Sequence, residues 1–259
     1  MAIPARPISR TPGRAAPPAP KVDYGKKFGF APMPESVRLL TEMLAKRNAN
    51  MEDFAKIVAI DSSLTDRLLA AANPRATRKE DYRTTTVEDA IQRVGMSFAL
   101  LLAMSEPLTL AVYNTFHTML SIDLTPVPLK DMEPFTDEHV LGEVTFEGKT
   151  TGLVDIRLPS ASILLFGDRL LGLTPDDLSD PAIGNDVVGE MCNMIVGNFK
   201  SNLCDAGLDC KLSQPNITRT TDFNLQAVKG GTSERNAFHA EEIDFFTDLS
   251  VNPWVDCKL

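Results

Sequence analysis

Apolar residues return at helical spacing through the first part of the chain. Val37, Leu40, Met43 and Leu44 recur at i, i+3, i+6 and i+7, and Phe54, Ile57, Val58 and Ile60 repeat the pattern. Leu64, Leu68 and Leu69 follow, then Val87, Ala90, Ile91 and Val94. This period predicts short helices from Pro32 to Met104. Pro34 opens the first, Asn73-Pro74 closes the third, and Thr84-Thr85-Thr86 offers N-cap oxygens ahead of Val87. The segment 32–104 therefore reads as a small all-α bundle without strands.

The pattern changes from about Ser105. Leu108, Val112, Phe116, Met119 and Leu120 form one more apolar helical face. Val140 to Glu147 and Thr150 to Leu158 then read as two strands joined at Gly148-Lys149. Ser160 to Leu171 reads as a helix ended by Gly172, and Asp180-Pro181 opens a long helix that Gly207 stops. Beyond Pro215 strands return: Phe223 to Val228, a Gly230-Gly231 turn, Arg235 to Ala240, and Ile243 to Val251. The order predicts an α+β domain over 105–259, with a mostly antiparallel sheet backed by long helices.

Composition sets residues 1–31 apart. They hold six of the 18 prolines, six basic residues and one acidic residue, too few large apolar side chains to offset their own ordering entropy. A disordered Pro/Arg-rich arm is expected there. The whole chain carries a net charge of −9, so a broad basic surface for nucleic acid or anionic lipid is not expected. The longest apolar run, Val94 to Met104, falls short of the ~20 residues that span a bilayer, and the first 30 residues lack an apolar signal region. A cytoplasmic protein is the expectation. Four cysteines (Cys192, Cys204, Cys210, Cys257) without a C-x-x-C pair argue against a disulfide framework or a zinc knuckle.

The chemistry concentrates on the long helix. At 100° per residue, Val187, Val188, Met191, Cys192, Met194, Ile195, Val196, Phe199 and Leu203 fall within one apolar arc of about 200°. The opposite arc carries Asp186, Gly189, Glu190, Asn193, Gly197, Lys200, Ser201 and Cys204. Glu190 and Asn193 lie about 60° and one turn apart, pointing to the same side. Gly189 and Gly197 weaken a helix interior by ~1 kcal/mol each relative to Ala, yet they leave that side bare for a partner's backbone.

Two family resemblances follow from particular residues. Pro32-x-Pro34, the run Phe54-Ala55-Lys56-Ile57-Val58-x-Ile60-Asp61-x-x-Leu64-x-x-Arg67-Leu68-Leu69-x-x-x-Asn73, and Thr86-Val87-Glu88-x-Ala90-Ile91-x-x-x-Gly95 together resemble the opening half of an HDOD domain, a helical signalling module related to HD phosphohydrolases. No His-Asp dipeptide occurs in the chain, so the resemblance implies a docking or scaffolding piece. Asn185 through Lys200, followed by Leu203, Gly207 and Ser213-x-Pro215, resembles the signature helix of the CheX and CheC phosphatases of bacterial chemotaxis. Their E-x-x-N motif falls on Glu190 and Asn193. One such helix is present, as in CheX, and Ser160 to Leu171 carries no second motif.

The CheX resemblance implies a substrate, the aspartyl phosphate of a CheY-type receiver domain. It implies that Asn193 orients the attacking water and that Glu190 pairs with the receiver's lysine, while Gly189 and Gly197 contact the partner. The Mg²⁺ involved belongs to the receiver; no cofactor or metal of the chain's own is implied. Pairing into a homodimer is a further implication. The alternative is a non-catalytic adaptor that binds receivers or flagellar switch components. The intact Glu190 and Asn193 favour the enzyme, because an adaptor has no need of a water-positioning amide.

Other candidates weigh less. Glu147-Gly148-Lys149-Thr150 shares the tail of a P-loop, but Glu143 stands where the first glycine is required and a strand follows. His117, His139 and His239 stand singly and read as structural or solvent-facing. Cys192 falls on the apolar arc and Cys204 has no cationic neighbour on its own turn, so neither reads as a catalytic thiol.

Overall fold

The computed structural model describes residues 34–44, 50–73, 83–223 and 232–252. The arm at 1–31, the Gly230-Gly231 turn, Cys257 and all but the first residue of the strand expected at Phe223 to Val228 lie outside them.

The N-terminal helices form where the period places them: α1 (Pro34–Leu44), α2 (Met51–Ile60), α3 (Ser62–Ala72) and α4 (Val87–Val94). Their starts are capped by short polar side chains. Asn50, Asp61 and Thr86 each accept a hydrogen bond from the backbone amide three residues on. Buried Asp61 also accepts from Ser36 Oγ at 3.0 Å, which ties α1 to the α2–α3 junction.

Helix α5 (Met96–Thr115) runs unbroken across residues 104 and 105, where composition suggests a boundary. It is apolar on nearly every side, and a helix of that kind is buried on nearly every side. The apolar run is thus longer than Val94 to Met104. Met96–Leu120 is long and apolar enough to cross a membrane, yet 78% of its most apolar window is buried inside the protein. The polar residues that interrupt the run are paired inside it. Glu106, 3% exposed, accepts from Ser63 Oγ at 2.6 Å. A π turn, Phe116–Leu120, ends the helix; its wider winding turns Met119 out to 53% exposure while Phe116 and Leu120 stay buried. Met119 therefore leaves the apolar face predicted for it.

The rest of the chain builds one antiparallel sheet. Its strands are β1 (Leu124–Val127), β2 (His139–Gly148), β3 (Thr151–Pro159), β4 (Cys210–Leu212), β5 (Asn216–Thr220), β6 (Thr232–Ala240) and β7 (Ile243–Asn252). Their order is β1-β6-β7-β3-β2-β4, with β5 beside β4 on the same edge of β2. The β2–β3 register pairs Glu147 with Thr151, so the hairpin loop is one residue longer than a Gly148-Lys149 pair. Helix α6 (Ser162–Leu171) starts two residues later than expected and ends on Gly172 at φ +66°. Helix α7 (Pro181–Asp205) follows. The α+β architecture with helices backing an antiparallel sheet stands as predicted. Among the described residues, β1, β4 and β5 are strands that the hydrophobic pattern did not disclose.

Alternation along the strands sends Val140, Val144, Val154, Ile156 and Leu158 into the core beneath the helices. The opposite face is charged and still buried. Arg157, 1% exposed, donates to Asp248 at 3.0 Å, and Arg235 donates to the same carboxylate. Phe135, Phe223 and Phe246 lie over this row edge to face, with the Arg235 guanidinium 4.7 Å from the Phe223 ring centre. Phe223 thus belongs to an aromatic cover rather than to a strand.

Gly142 on β2 is where α7 approaches most closely. A Cβ there would stand 2.3 Å from Cys192 Sγ and 3.4 Å from Val188. Gly142→Ala is expected to destabilise the protein by about 1–3 kcal/mol through overpacking, read as a lowered thermal midpoint. An unchanged midpoint would show that the helix and sheet yield at this contact.

Candidate functional site

Helix α7 owes its placement to both of its ends. Asp180 accepts from the Ala182 amide at 2.9 Å and Pro181 occupies the first turn, where its missing N–H costs nothing. At the far end Gly207 adopts φ +73°, and the Leu208 amide donates back to the Leu203 carbonyl at 2.8 Å. Between the ends, Val187, Val188, Met191, Cys192, Ile195, Val196, Phe199 and Leu203 are all buried against β2, β4, β5 and α5.

That burial decides what faces water. Asp186, Glu190 and Asn193 are exposed. A Cβ built on Gly189 or on Gly197 meets no atom within 4 Å, so the helix backbone is bare on both sides of the Glu190–Asn193 pair. The described structure brings together along one side of α7 the four residues that the sequence singles out. Chemically the face offers the carboxylates of Asp186 and Glu190 and the carboxamide of Asn193, an amide that both donates and accepts. A pocket lined by Ile163, Leu164, Leu178, Gly184 and Arg219 lies at the start of α7 and touches neither Glu190 nor Asn193.

Two further amides on α7 have structural partners that the sequence reading passed over. Asn198 Nδ2 donates to Thr115 Oγ1 at 2.8 Å, and Asn202 Nδ2 donates to the Pro107 carbonyl at 3.0 Å, both on α5. A signal was present. At 100° per residue both fall inside the apolar arc, where a polar side chain calls for a buried partner.

The remaining candidates resolve as structural. The Cys192 thiol is pushed up to about 12, first by burial and then by the Asp155 carboxylate, so no thiolate forms there. Cys204 does have a cation one turn away, Lys200, contrary to the expectation that none is adjacent. Desolvation and Asp209 nevertheless hold the thiol above its usual range. His117 pairs with Asp123 at 3.0 Å and His239 with Asp244 at 2.7 Å, while His139 lies against Phe135 and Phe223. Lys149, the lysine of the P-loop-like tetrapeptide, sits in the β2–β3 loop and donates to the Gly207 carbonyl at 2.8 Å. Among the described residues no three His, Cys, Asp or Glu side chains converge as a metal site.

Comparison with known proteins adds a family to this geometry. Residues 140–239 match the family model described as chemotaxis phosphatase CheX, and residues 30–123 match that of the HDOD domain. The second match continues past residue 104 into the far half of α5. Among solved structures, the chemotaxis protein CheX from Vibrio vulnificus is 23% identical, with 57% of this chain and 96% of that one covered at a TM-score of 0.49. CheX from Desulfovibrio desulfuricans is 20% identical, with 57% and 99% covered at 0.48. A CheX–CheY–BeF3–Mg²⁺ complex from Borrelia burgdorferi is 18% identical, with 57% and 97% covered at 0.47. No curated protein matches the chain. Residues 140–239 are therefore similar to the CheX family and residues 30–123 to the HDOD family.

Proposed function

We propose that this chain removes the phosphoryl group from the aspartyl phosphate of a CheY-type receiver domain. The observation that carries the reading is the bare face of α7, where Glu190 and Asn193 are exposed one turn apart and flanked by glycines with open space above them. The CheX match over residues 140–239 supports it. Asn193 enters the receiver's phosphorylation site, and its side-chain amide holds a water in line with phosphorus. The water's oxygen forms the new bond to phosphorus while the bond to the aspartyl oxygen breaks, releasing inorganic phosphate and a free carboxylate. An amide can serve here because the gain comes from placing the water, with no proton held at a particular pKa. Glu190 pairs with the receiver's lysine and sets the docking register. The Mg²⁺ is the receiver's own, and this chain contributes no metal ligand to the step.

Phosphate release from a phosphorylated receiver tests the reading. Release accelerated by the wild-type chain supports it. Binding without acceleration supports instead the adaptor reading, in which the same face holds receivers or flagellar switch components. Glu190→Ala is expected to weaken association about tenfold, the effect of losing one partly desolvated charge pair, with a smaller change in turnover at saturating receiver. An unchanged affinity in a titration would remove its docking role. A homodimer follows from the same family resemblance, and sedimentation at micromolar concentration should find twice the chain mass.

A further inference from the structure

Helix α5 serves both halves of the molecule. It packs against each of α1, α2, α3 and α4, and on its other sides against α7, β6 and β7. Arg67 of α3 crosses the same junction. It donates to the Leu102 carbonyl at 2.9 Å and to Ser105 Oγ on α5, and to the Glu234 carboxylate on β6 at 2.9 Å. Arg38 of α1 reaches the end of α7, with its Cδ 3.5 Å from the position of a Cβ on Gly207. Helices α1 to α4 therefore grip the helix on which α7 lies.

The contact between α5 and α7 is mostly apolar, and the hydrophobic driving force that closes it is non-directional. The directional part is the pair of amide hydrogen bonds from Asn198 to Thr115 and from Asn202 to Pro107. They leave α7 about one and a half and two and a half turns beyond Asn193, on the same helix.

We propose that Asn202 is a positioning residue, locking α7 onto the helix that α1 to α4 hold and so setting the angle at which Asn193 enters the receiver. The proposal rests on the phosphatase reading above and extends it to residues remote from the bare face. It gives the N-terminal helices a task in turnover, because whatever shifts α5 shifts the water-positioning amide with it.

The two amides differ in what they bond, and that difference supplies the test. Pro107 offers a carbonyl, which only accepts, whereas Thr115 offers a hydroxyl, which can also donate. Asn202→Asp replaces a donor by a second acceptor and breaks its bond; Asn198→Asp keeps its bond with the direction reversed. Both changes add the same charge near the same helix end, so any general electrostatic or stability effect moves the two variants together. With full-length protein and a phosphorylated receiver, Asn202→Asp is expected to lower kcat about tenfold at unchanged KM, because a misplaced catalytic group slows the step without weakening docking. Asn198→Asp should keep the wild-type kcat, and Asn202→Gln, whose longer amide still reaches the carbonyl, should recover most of the loss. Equal kcat for the two Asp variants, or a wild-type kcat for Asn202→Asp, overturns the proposal. If Asn202→Asp does not fold, Asn202→Ala takes its place, and a wild-type kcat there overturns it equally. A wild-type chain with no phosphatase activity defeats the phosphatase reading itself, which separates the two failures.

Discussion

Asn193→Ala is expected to reduce phosphate release from a phosphorylated receiver by on the order of 10²-fold or more, the scale seen when a single preorganised hydrogen-bonding group is taken from a reacting centre. The loss should appear without loss of fold. Asn193 is exposed on α7, and alanine is the better helix former, so the thermal midpoint should hold or rise slightly. Asn193→Asp sharpens the result by keeping the shape while removing the N–H donors and adding charge beside an anionic phosphoryl group. Its activity should fall at least as far. Normal turnover by the alanine variant would reject Asn193 as the water-positioning residue, however well the protein binds its receiver.

A second large effect is expected in stability, at Asp155 on the face of the sheet away from α7. Asp155 is 4% exposed and its Oδ1 has no hydrogen-bond partner among the described atoms. Burial first, and the Asp248 carboxylate second, raise its pKa to about 7, against the opposing pull of Arg157 and a weaker push from Glu143. These groups come from β7, β3 and β2, and Arg235 of β6 adds a further small opposing pull. Because the folded pKa lies above the unfolded value, the native state holds a proton that the unfolded chain has already lost. The contribution of Asp155 to stability is therefore greatest below the ordinary carboxylate range, declines as pH climbs toward 7, and levels off above it. A difference of this size corresponds to at most about 4 kcal/mol. Asp155→Asn removes the buried charge at nearly constant shape. The variant should gain stability at pH 8 and little at pH 5, read from urea midpoints at the two values. In the variant Glu106, raised by its own burial, still acts in the same direction, while Glu35, Asp53 and Asp177, lowered by their hydrogen bonds, act in the opposite one. Equal midpoint shifts at both pH values would show that Asp155 is not protonated in the native protein.

The parts of this fold that announce themselves in the sequence are those whose energetics are local. The apolar period of α1 to α4 marks most of the residues that face the core, although Ile60 at the end of α2 is 68% exposed, and Asn50, Asp61 and Thr86, like Asp180 ahead of α7, sit at helix starts because these leave amides that a short polar side chain can satisfy. The rotation of α7 is legible for the same reason. An arc of apolar residues must face the core, which leaves Glu190 and Asn193 outward whatever the core contains.

Short strands were not legible. The three residues of β4 and the five of β5, half exposed, carry too little alternation to stand out, and they exist because β2 presents an edge to pair with. Composition likewise suggests a division at residue 104, since the chain turns from helix-rich to strand-rich nearby. Yet α5 crosses that point, because its polar residues find partners in both halves, Glu106 with Ser63 and Pro107 with Asn202.

By itself the sequence determined most of the helices, the β2–β3 hairpin, the strands β6 and β7 and the outward placement of Glu190 and Asn193 on α7, since these follow from periodicity and capping within a few turns of chain. Only the tertiary structure decided that one helix is shared between the two segments, that a charged row is buried beneath an aromatic cover, and that Asn198 and Asn202 bind α7 to α5. Those features depend on groups as many as 95 residues apart in the chain, whose encounter no local pattern encodes.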